Sequence, residues 1–572
     1  MANTAELIKK RFGDPFQVTQ SLQRAASQGF ESLTEDELFM CKWLGIYTHR
    51  FEKGYFMLRT KQPNGFVTPE QLDTVADIAE KQNKGFADIT TRQDFQLHWV
   101  HYKDVVGILS RLDQAGISTK GACGDIARNV VGCPVAGVDR DEILDGSLLA
   151  EQLNAFFSTK EYADLPRKFK ISVSGCRTGC IHPEIQCIAL TGAERVVDGK
   201  KEAGFDVRAG GGLATQAFLG QRLNVFVKPE EALEVVRALT DIWRESPEYR
   251  VHRHHARLKY LMHDRGPETL RAQIEERLGR KLDESPAGLR DAEDAFRDHV
   301  GVHAQKQPGL YYVGAPVLVG RITSQQMRRM ADLCRRYADG KSIRLTNRQN
   351  LLLLNIAESN VEKVLNALAE IELSINAHPA RRGVVTCTGI QFCKLAITET
   401  KARSRQIIEY LERRVLLDEP LRIHINGCPN GCAQHQIAHI GLMGSKTKVD
   451  GQLVEAFDIF LGGQMGRDAR FNRAILRKVP ATECARRLER LLVTYRKARK
   501  GKETFNAWCD RMGDAKLVGI LTEDAAHPLA VEPPESTAQY AEVPSKGGRH
   551  PAPAIGGEHC SDSGIEDAPA VA

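Results

Sequence analysis

The sequence has no apolar run long enough to cross a bilayer. Its longest, around residues 351–354, falls far short of the roughly 20 residues that a spanning helix needs. Residues 1–11 are polar and lack the apolar core of a signal peptide, so neither a membrane nor a secreted location is expected, and a cytoplasmic one is. No Lys/Arg block interleaved with aromatics occurs, which leaves nucleic acid a weak candidate partner. No G-x-G-x-x-G opens a helix after a strand, so no nicotinamide or flavin site is visible. Cysteine is sparse, at 14 in 572 residues, too few for a disulfide scaffold. Where such cysteines cluster, metal binding or catalysis is the expectation.

What is present is ordinary for a water-soluble chain: 42% hydrophobic and 27% charged residues. The length exceeds one hydrophobic core and implies three or four packed units. The net charge is +6, but residues 525–572 carry seven acidic and two basic side chains, so the tail is −5 and the body +11. A cationic body suits an acidic partner or an anionic substrate. Seven of the 23 prolines also fall in those last 48 residues, and a disordered tail is expected there.

The chain repeats itself at a period of roughly 255 residues. "TPEQLDTVADIA" from Thr68 is echoed by "TSQQMRRMADLC" from Thr323, and "TTRQ" with Arg92 by "TNRQ" with Arg348. "FKISVSGCRTGC" at 169–180 matches "LRIHINGCPNGC" at 421–432. Three matches in one order describe a duplicated domain pair. Each half reads as α+β: Thr68-Pro69 caps an amphipathic helix, Lys228-Pro229 and Asn360 open others, and "KFKISVS" and "RIHING" alternate as strands. Residues 245–300 read as a charged helical connector, whose "HRHHAR" (His252, His254, His255) is taken as a solvated face.

Four cysteines of the second half carry the chemistry. Cys387 and Cys393 are spaced C-x5-C, and Cys428 and Cys432, 34 residues beyond, C-x3-C. Zinc knuckles pair cysteines two to four apart and ferredoxins use C-x2-C, so the first pair fits neither. Four thiolates on two loops can enclose a [4Fe–4S] cube, with Gly389, Gly427 and Gly431 letting backbone amides approach it. A pure electron-transfer module and a structural zinc protein are the alternatives. A visible spectrum sets zinc apart, since zinc does not absorb there.

C-x5-C followed by "HINGCPNGC" resembles the sirohaem and [4Fe–4S] signature of the sulfite and nitrite reductase family, over about residues 40–520. The resemblance implies duplicated halves related by a pseudo-twofold, each a small ferredoxin-like unit plus a larger cluster- and sirohaem-binding domain. The implied layout is an N-terminal helical segment (1–50), ferredoxin-like half 1 (51–115), sirohaem and anion domain 1 (116–245), the connector (246–304), ferredoxin-like half 2 (305–375), cluster and sirohaem domain 2 (376–520) and the tail (521–572). It implies that Cys387, Cys393, Cys428 and Cys432 hold the cube, that Cys432 bridges to the sirohaem iron, and that Asn430 and Gln391 lie at the cofactors. Arg92, Arg128, Lys168 and Lys170 are implied to hold the substrate anion and the sirohaem carboxylates. Tyr47 and Cys123 fall where some ferredoxin-dependent sulfite reductases carry a tyrosine–cysteine thioether.

The two halves divide this labour. Lys168 aligns with Pro420 and Lys170 with Arg422, so the second half lacks the lysine pair; Ala127 aligns with Cys387, so the first half lacks a full cysteine set. One active site across the pseudo-twofold follows. The first half nevertheless keeps Cys133, Cys176 and Cys180, read as a vestigial site with free thiols, with a second cluster or a metal site as the alternative. About five irons per chain would mean one cube, about nine a second. The implied reaction is six-electron reduction of sulfite, with nitrite as the alternative, by a monomer fed by ferredoxin or by a flavoprotein reductase. "KFK" favours sulfite, because a second fixed cation better matches a dianion.

Overall fold

The computed structural model describes residues 3–82, 84–294 and 296–523; nearly all of the expected tail therefore lies outside the described residues. Helices Thr4–Phe12, Val18–Gln28 and Glu35–Met40 open the chain. Two five-stranded antiparallel sheets follow, each built on the same local rules. Thr68 Oγ1 accepts from the Gln71 N–H at 3.2 Å to start the helix Pro69–Gln82, and Thr323 with Gln326 does the same at 3.2 Å for Ser324–Tyr337. The Thr-x-x-Gln repeat read from sequence is thus a pair of helix caps. The counterpart helix expected from Asn360 starts two residues earlier, at Glu358, because Ala357 already ends the preceding strand.

The halves do not fold as separate sheets. The first sheet runs, in spatial order, Ile46–Thr48, Tyr55–Arg59, Phe95–His101, Phe86–Ile89 and then Arg321–Thr323 from the second half. The second runs Gly301–Ala304, Leu310–Ala315, Leu351–Ala357, Ile343–Leu345 and then Phe66–Val67 from the first half. Each half lends its partner an edge strand, and one continuous apolar core, including Leu72, Val75, Met327 and Leu353, lies under both sheets.

Asp88 locks the exchange. It faces Arg321 across the strand pairing, and the buried carboxylate accepts from Arg321 at 2.8 and 3.1 Å. Burial alone would raise the Asp88 pKa, but Arg321, Lys401 and His98 outweigh it and hold the group well below the carboxylate range. Its stabilisation is complete above the unfolded value of about 3.9 and is lost as pH falls below that. Arg321→Ala is expected to cost about 3 kcal/mol, because it removes the bidentate partner of a buried charge and leaves only His98 and Lys401 to hold it. Urea unfolding at neutral pH measures this, and the loss should shrink in acid.

Two larger domains flank this core. In one, the six strands 283–284, 221–227, 200–209, 188–197, 171–174 and 131–132 form a mixed sheet; in the other, Val384–Thr386, Ile423–Asn426, Ile440–Val449, Gln452–Leu461 and Arg473–Pro480 do. The expected connector is not a solvated spacer. Helices Leu258–Arg265 and Pro267–Leu278 bury Leu261, Met262, Leu270 and Ile274 in the core of the first large domain. His255 has a carboxylate partner, Asp264, at 3.2 Å, and its ring stacks on Tyr260. Among the described residues no helix is long and apolar enough to cross a membrane.

Candidate active site

The cysteine loops are aimed by parallel strands. Val384–Thr386 pairs with Ile423–Asn426 in parallel, so both strands end at one edge and release the Cys387 and Cys428 loops side by side. The Gly427 N–H points to the Cys387 sulfur at 3.2 Å. Gly389 has a φ of 75°, and a Cβ there would meet Thr400 Oγ1 at 2.4 Å and Thr400 N at 2.8 Å, so only glycine lets this loop close. Asn430 hydrogen-bonds the Cys428 thiol through its backbone and its side chain. Gln391 sits half-buried on the turn between Cys387 and Cys393.

Burial pushes the Cys387, Cys393 and Cys428 thiols up, Cys428 to about 12, and the neighbouring cysteines raise all three further. Thiols pushed up in this way are what a cationic cluster relieves, by taking them as thiolate ligands. The residues fit a [4Fe–4S] group.

The first half closes over these loops. Thr91 Oγ1 donates to the Cys432 carbonyl at 3.0 Å, and the Arg50 guanidinium donates to the carbonyls of Cys393, Lys394 and Ala396 at 3.1, 3.0 and 2.8 Å. Arg50→Ala is expected to speed iron loss to a chelator, in keeping with the roughly 10–100-fold affinity cost of removing a partner that orients a metal ligand. Unchanged iron release would sink that role.

Beside Thr91 begins a concentration of cations. Arg92 donates to the Gln186 side chain and the Ile171 carbonyl at 3.1 Å each, and to the Asn129 carbonyl. Arg128 donates to the Gly124 carbonyl at 3.0 Å. Lys168 and Lys170 flank buried Phe169, so both turn away from the core, as their spacing predicts. Burial, then Arg257, Arg92 and Lys168, push the Lys170 pKa well below the usual lysine range. Tyr47 and Cys123 meet in a side-chain hydrogen bond, and burial raises the Tyr47 hydroxyl.

Four further cations escaped the sequence reading. Arg59 lies over the Tyr47 ring at 5.2 Å, within electrostatic reach of Cys123 and Cys432, so it joins the two halves of the site. Lys61 donates to Ser158 Oγ at 2.7 Å, and burial with Arg92 and Arg128 brings its pKa down to about 7. Arg257 and Lys259 come from the segment taken for a solvated connector. Both are buried, and burial with Arg257 brings Lys259 to about 7. The available signal was the two-residue spacing in Arg59-Lys61 and Arg257-Lys259, the same as in Lys168-Lys170. This gathering of cations, with Lys61, Lys170 and Lys259 pushed down by burial and by their cationic neighbours and with Nε of buried Arg257 lacking a partner, fits a polycarboxylate macrocycle and a small oxyanion.

The strand register corrects one alignment. Cys133 N–H donates to the Val173 carbonyl at 3.2 Å as Cys387 N–H does to Ile425 at 3.1 Å. The Gln93 amide bonds Gly132 from both ends at 2.9 Å, as that of Gln349 bonds Thr386 at 2.8 and 3.0 Å. Cys133, and not Ala127, is therefore the counterpart of Cys387, because a local alignment by C-x5-C spacing slid the loop by six residues.

The model of the nitrite and sulphite reductase 4Fe-4S domain matches residues 123–282 and 377–529, and that of the nitrite/sulfite reductase ferredoxin-like half domain matches 48–115 and 303–371. The chain belongs to the nitrite and sulfite reductase family. An assimilatory ferredoxin-dependent nitrite reductase of Haloferax mediterranei is 36% identical, over 88% of this chain and 90% of the relative. A sulfite reductase [ferredoxin] of Mycolicibacterium paratuberculosis is 34% identical, over 90% of this chain and 96% of the relative. The solved structure of Mycobacterium tuberculosis NirA superposes with a TM-score of 0.84 at 35% identity, covering 90% of this chain and 97% of that one. The enzyme is a duplicated member of this family, with paired ferredoxin-like and 4Fe-4S domains.

Proposed function

We propose that the chain reduces sulfite to sulfide in six electrons, taken one at a time from ferredoxin. The observation that carries the reading is the meeting of second-half cysteines with first-half cations, joined by Arg59 between Cys432 and the Tyr47–Cys123 pair. Cys387, Cys393, Cys428 and Cys432 would hold a [4Fe–4S] cluster. Arg59, Arg257 and Lys259 would pair with the carboxylates of a sirohaem. Once bound, the two groups supply a one-electron relay and an iron open to the substrate.

The protein's own share is to bind the oxyanion and to deliver protons. Arg92, Arg128, Lys168 and Lys170 surround its oxygens with charge-assisted donors. Reduction consumes protons at each stage, and a lysine whose pKa lies near 7, as for Lys61, donates at neutral pH where an ordinary lysine would not. On the outside, exposed Lys394 follows Cys393, with Arg50 beside it, and this cationic rim suits an acidic one-electron carrier.

Nitrite is the second reading, because relatives of both names match at similar identity. The test is steady-state reduction of both substrates, side by side and anaerobically, with reduced ferredoxin. A higher kcat/KM for sulfite supports the proposal, a higher one for nitrite replaces it, and turnover of neither removes both.

A further inference from the structure

The pseudo-twofold copy of the cysteine site carries four ligand positions of its own. With Cys133 standing for Cys387, the residue six places on, Asp139, stands for Cys393. Backbone geometry agrees: Asp139 N–H donates to the Val135 carbonyl at 2.9 Å, and Cys393 N–H to Gly389 at 3.0 Å. Cys176 and Cys180 complete the set, in the places of Cys428 and Cys432. All four are shut off from solvent, with exposures of 3% (Cys133), 2% (Asp139), 1% (Cys176) and 3% (Cys180).

The spacing differs between the two copies. The sulfurs of Cys133 and Cys176 and a carboxylate oxygen of Asp139 all lie within 4.8 Å of one another, and Cys133 also hydrogen-bonds Cys180. Among the described residues, no three of Cys387, Cys393, Cys428 and Cys432 come that close together. A zinc–sulfur bond of about 2.3 Å with tetrahedral angles puts sulfurs roughly 3.8 Å apart, which suits the tight set. A cube interposes irons and sulfides between its ligands and needs the wider one.

We propose that Cys133, Cys176, Cys180 and Asp139 bind a single tetrahedral divalent metal ion, zinc by the softness of three thiolates. Binding forms three metal–sulfur bonds and one metal–oxygen bond, and releases the thiol protons to solvent, with no change of oxidation state. Arg297 already orients the carboxylate, donating to its two oxygens at 2.9 and 2.7 Å; Oδ1 also accepts from the Asp141 N–H at 3.2 Å, and Oδ2 keeps a lone pair for the metal. That arginine also offsets the anionic charge of the ligand set. With every position filled by protein the site is a structural one, pinning the Cys133 and Cys176 loops as a cluster would pin their counterparts. None of its ligands serves the proposed reduction, so either reading can fail alone.

The test is elemental analysis of anaerobically purified holoenzyme after dialysis with zinc and gel filtration. About one zinc per chain is expected beside the iron. The Cys133→Ser/Cys176→Ser variant should lose zinc by roughly tenfold or more, with iron content and visible spectrum retained. Should that variant not fold, wild-type enzyme exchanged into cobalt(II) is to be read for thiolate-to-cobalt charge-transfer bands. Zinc no higher than in the variant, cobalt without those bands, about four extra irons per chain, or a peptide map showing a disulfide among the three cysteines would each overturn the proposal.

Discussion

Cys387→Ala is expected to leave a folded chain that has lost the iron of its cluster, falling from about five irons per chain to about one. Turnover of sulfite and nitrite should fall together by well over a hundredfold, because losing only an outer partner of a metal ligand already costs roughly 10–100-fold. Cys387 is the informative position of the four. Its thiol receives the Gly427 N–H at 3.2 Å and lies beside Thr400, so the backbone around it is already tied down and the loop has no slack with which to recruit a substitute ligand. Removing a thiol rather than a packed apolar group also limits the structural cost. The measurement is iron content and visible absorbance set against thermal unfolding; full iron retention would show that Cys387 is not a ligand.

Lys170→Asn should separate the two substrates. The lysine stands among Arg257, Arg92 and Lys168, and burial together with their repulsion holds its pKa well below the usual lysine range, so a bound anion would favour its charged form. At an effective dielectric constant near 20 and about 4 Å, one unit charge pair is worth roughly 4 kcal/mol, and a dianion loses about twice what a monoanion loses. After screening, kcat/KM for sulfite is expected to fall by about a hundredfold and that for nitrite by about tenfold or less. Equal losses would mean that charge count at this position does not set preference. A second signature is the pH profile: removing a low-pKa lysine should flatten the limb that it controls.

Much of this enzyme is legible in one dimension. The duplication shows as repeated segments, because each copy must rebuild the same helix cap and the same strand. Cys387, Cys393, Cys428 and Cys432 announce themselves by loop spacing, and Lys168 and Lys170 by the two-residue period of an extended chain. These are local rules, written within a few residues of where they act.

What lay beyond reach were arrangements set by packing between distant segments. Nothing in Phe66–Val67 or Arg321–Thr323 says that each strand completes the other half's sheet; Asp88 and Arg321 meet only because one core forms under both. Arg257 and Lys259 look like surface charge until their helix buries its apolar face and carries them inward. The partner of Cys387 was misread for the same reason. Cysteine spacing alone favoured Ala127, whereas the hydrogen bonds of Cys133 to Val173 and of Gln93 to Gly132 decide the register in space. Local periodicity and loop spacing are properties of the chain, and so the sequence by itself determined the family and the repeat, and singled out the four cysteines proposed to hold the cluster. Strand exchange, ligand register and the gathering of cations each depend on contacts between residues far apart in the chain, whose free energy exists only in the folded state, and those the tertiary structure decided.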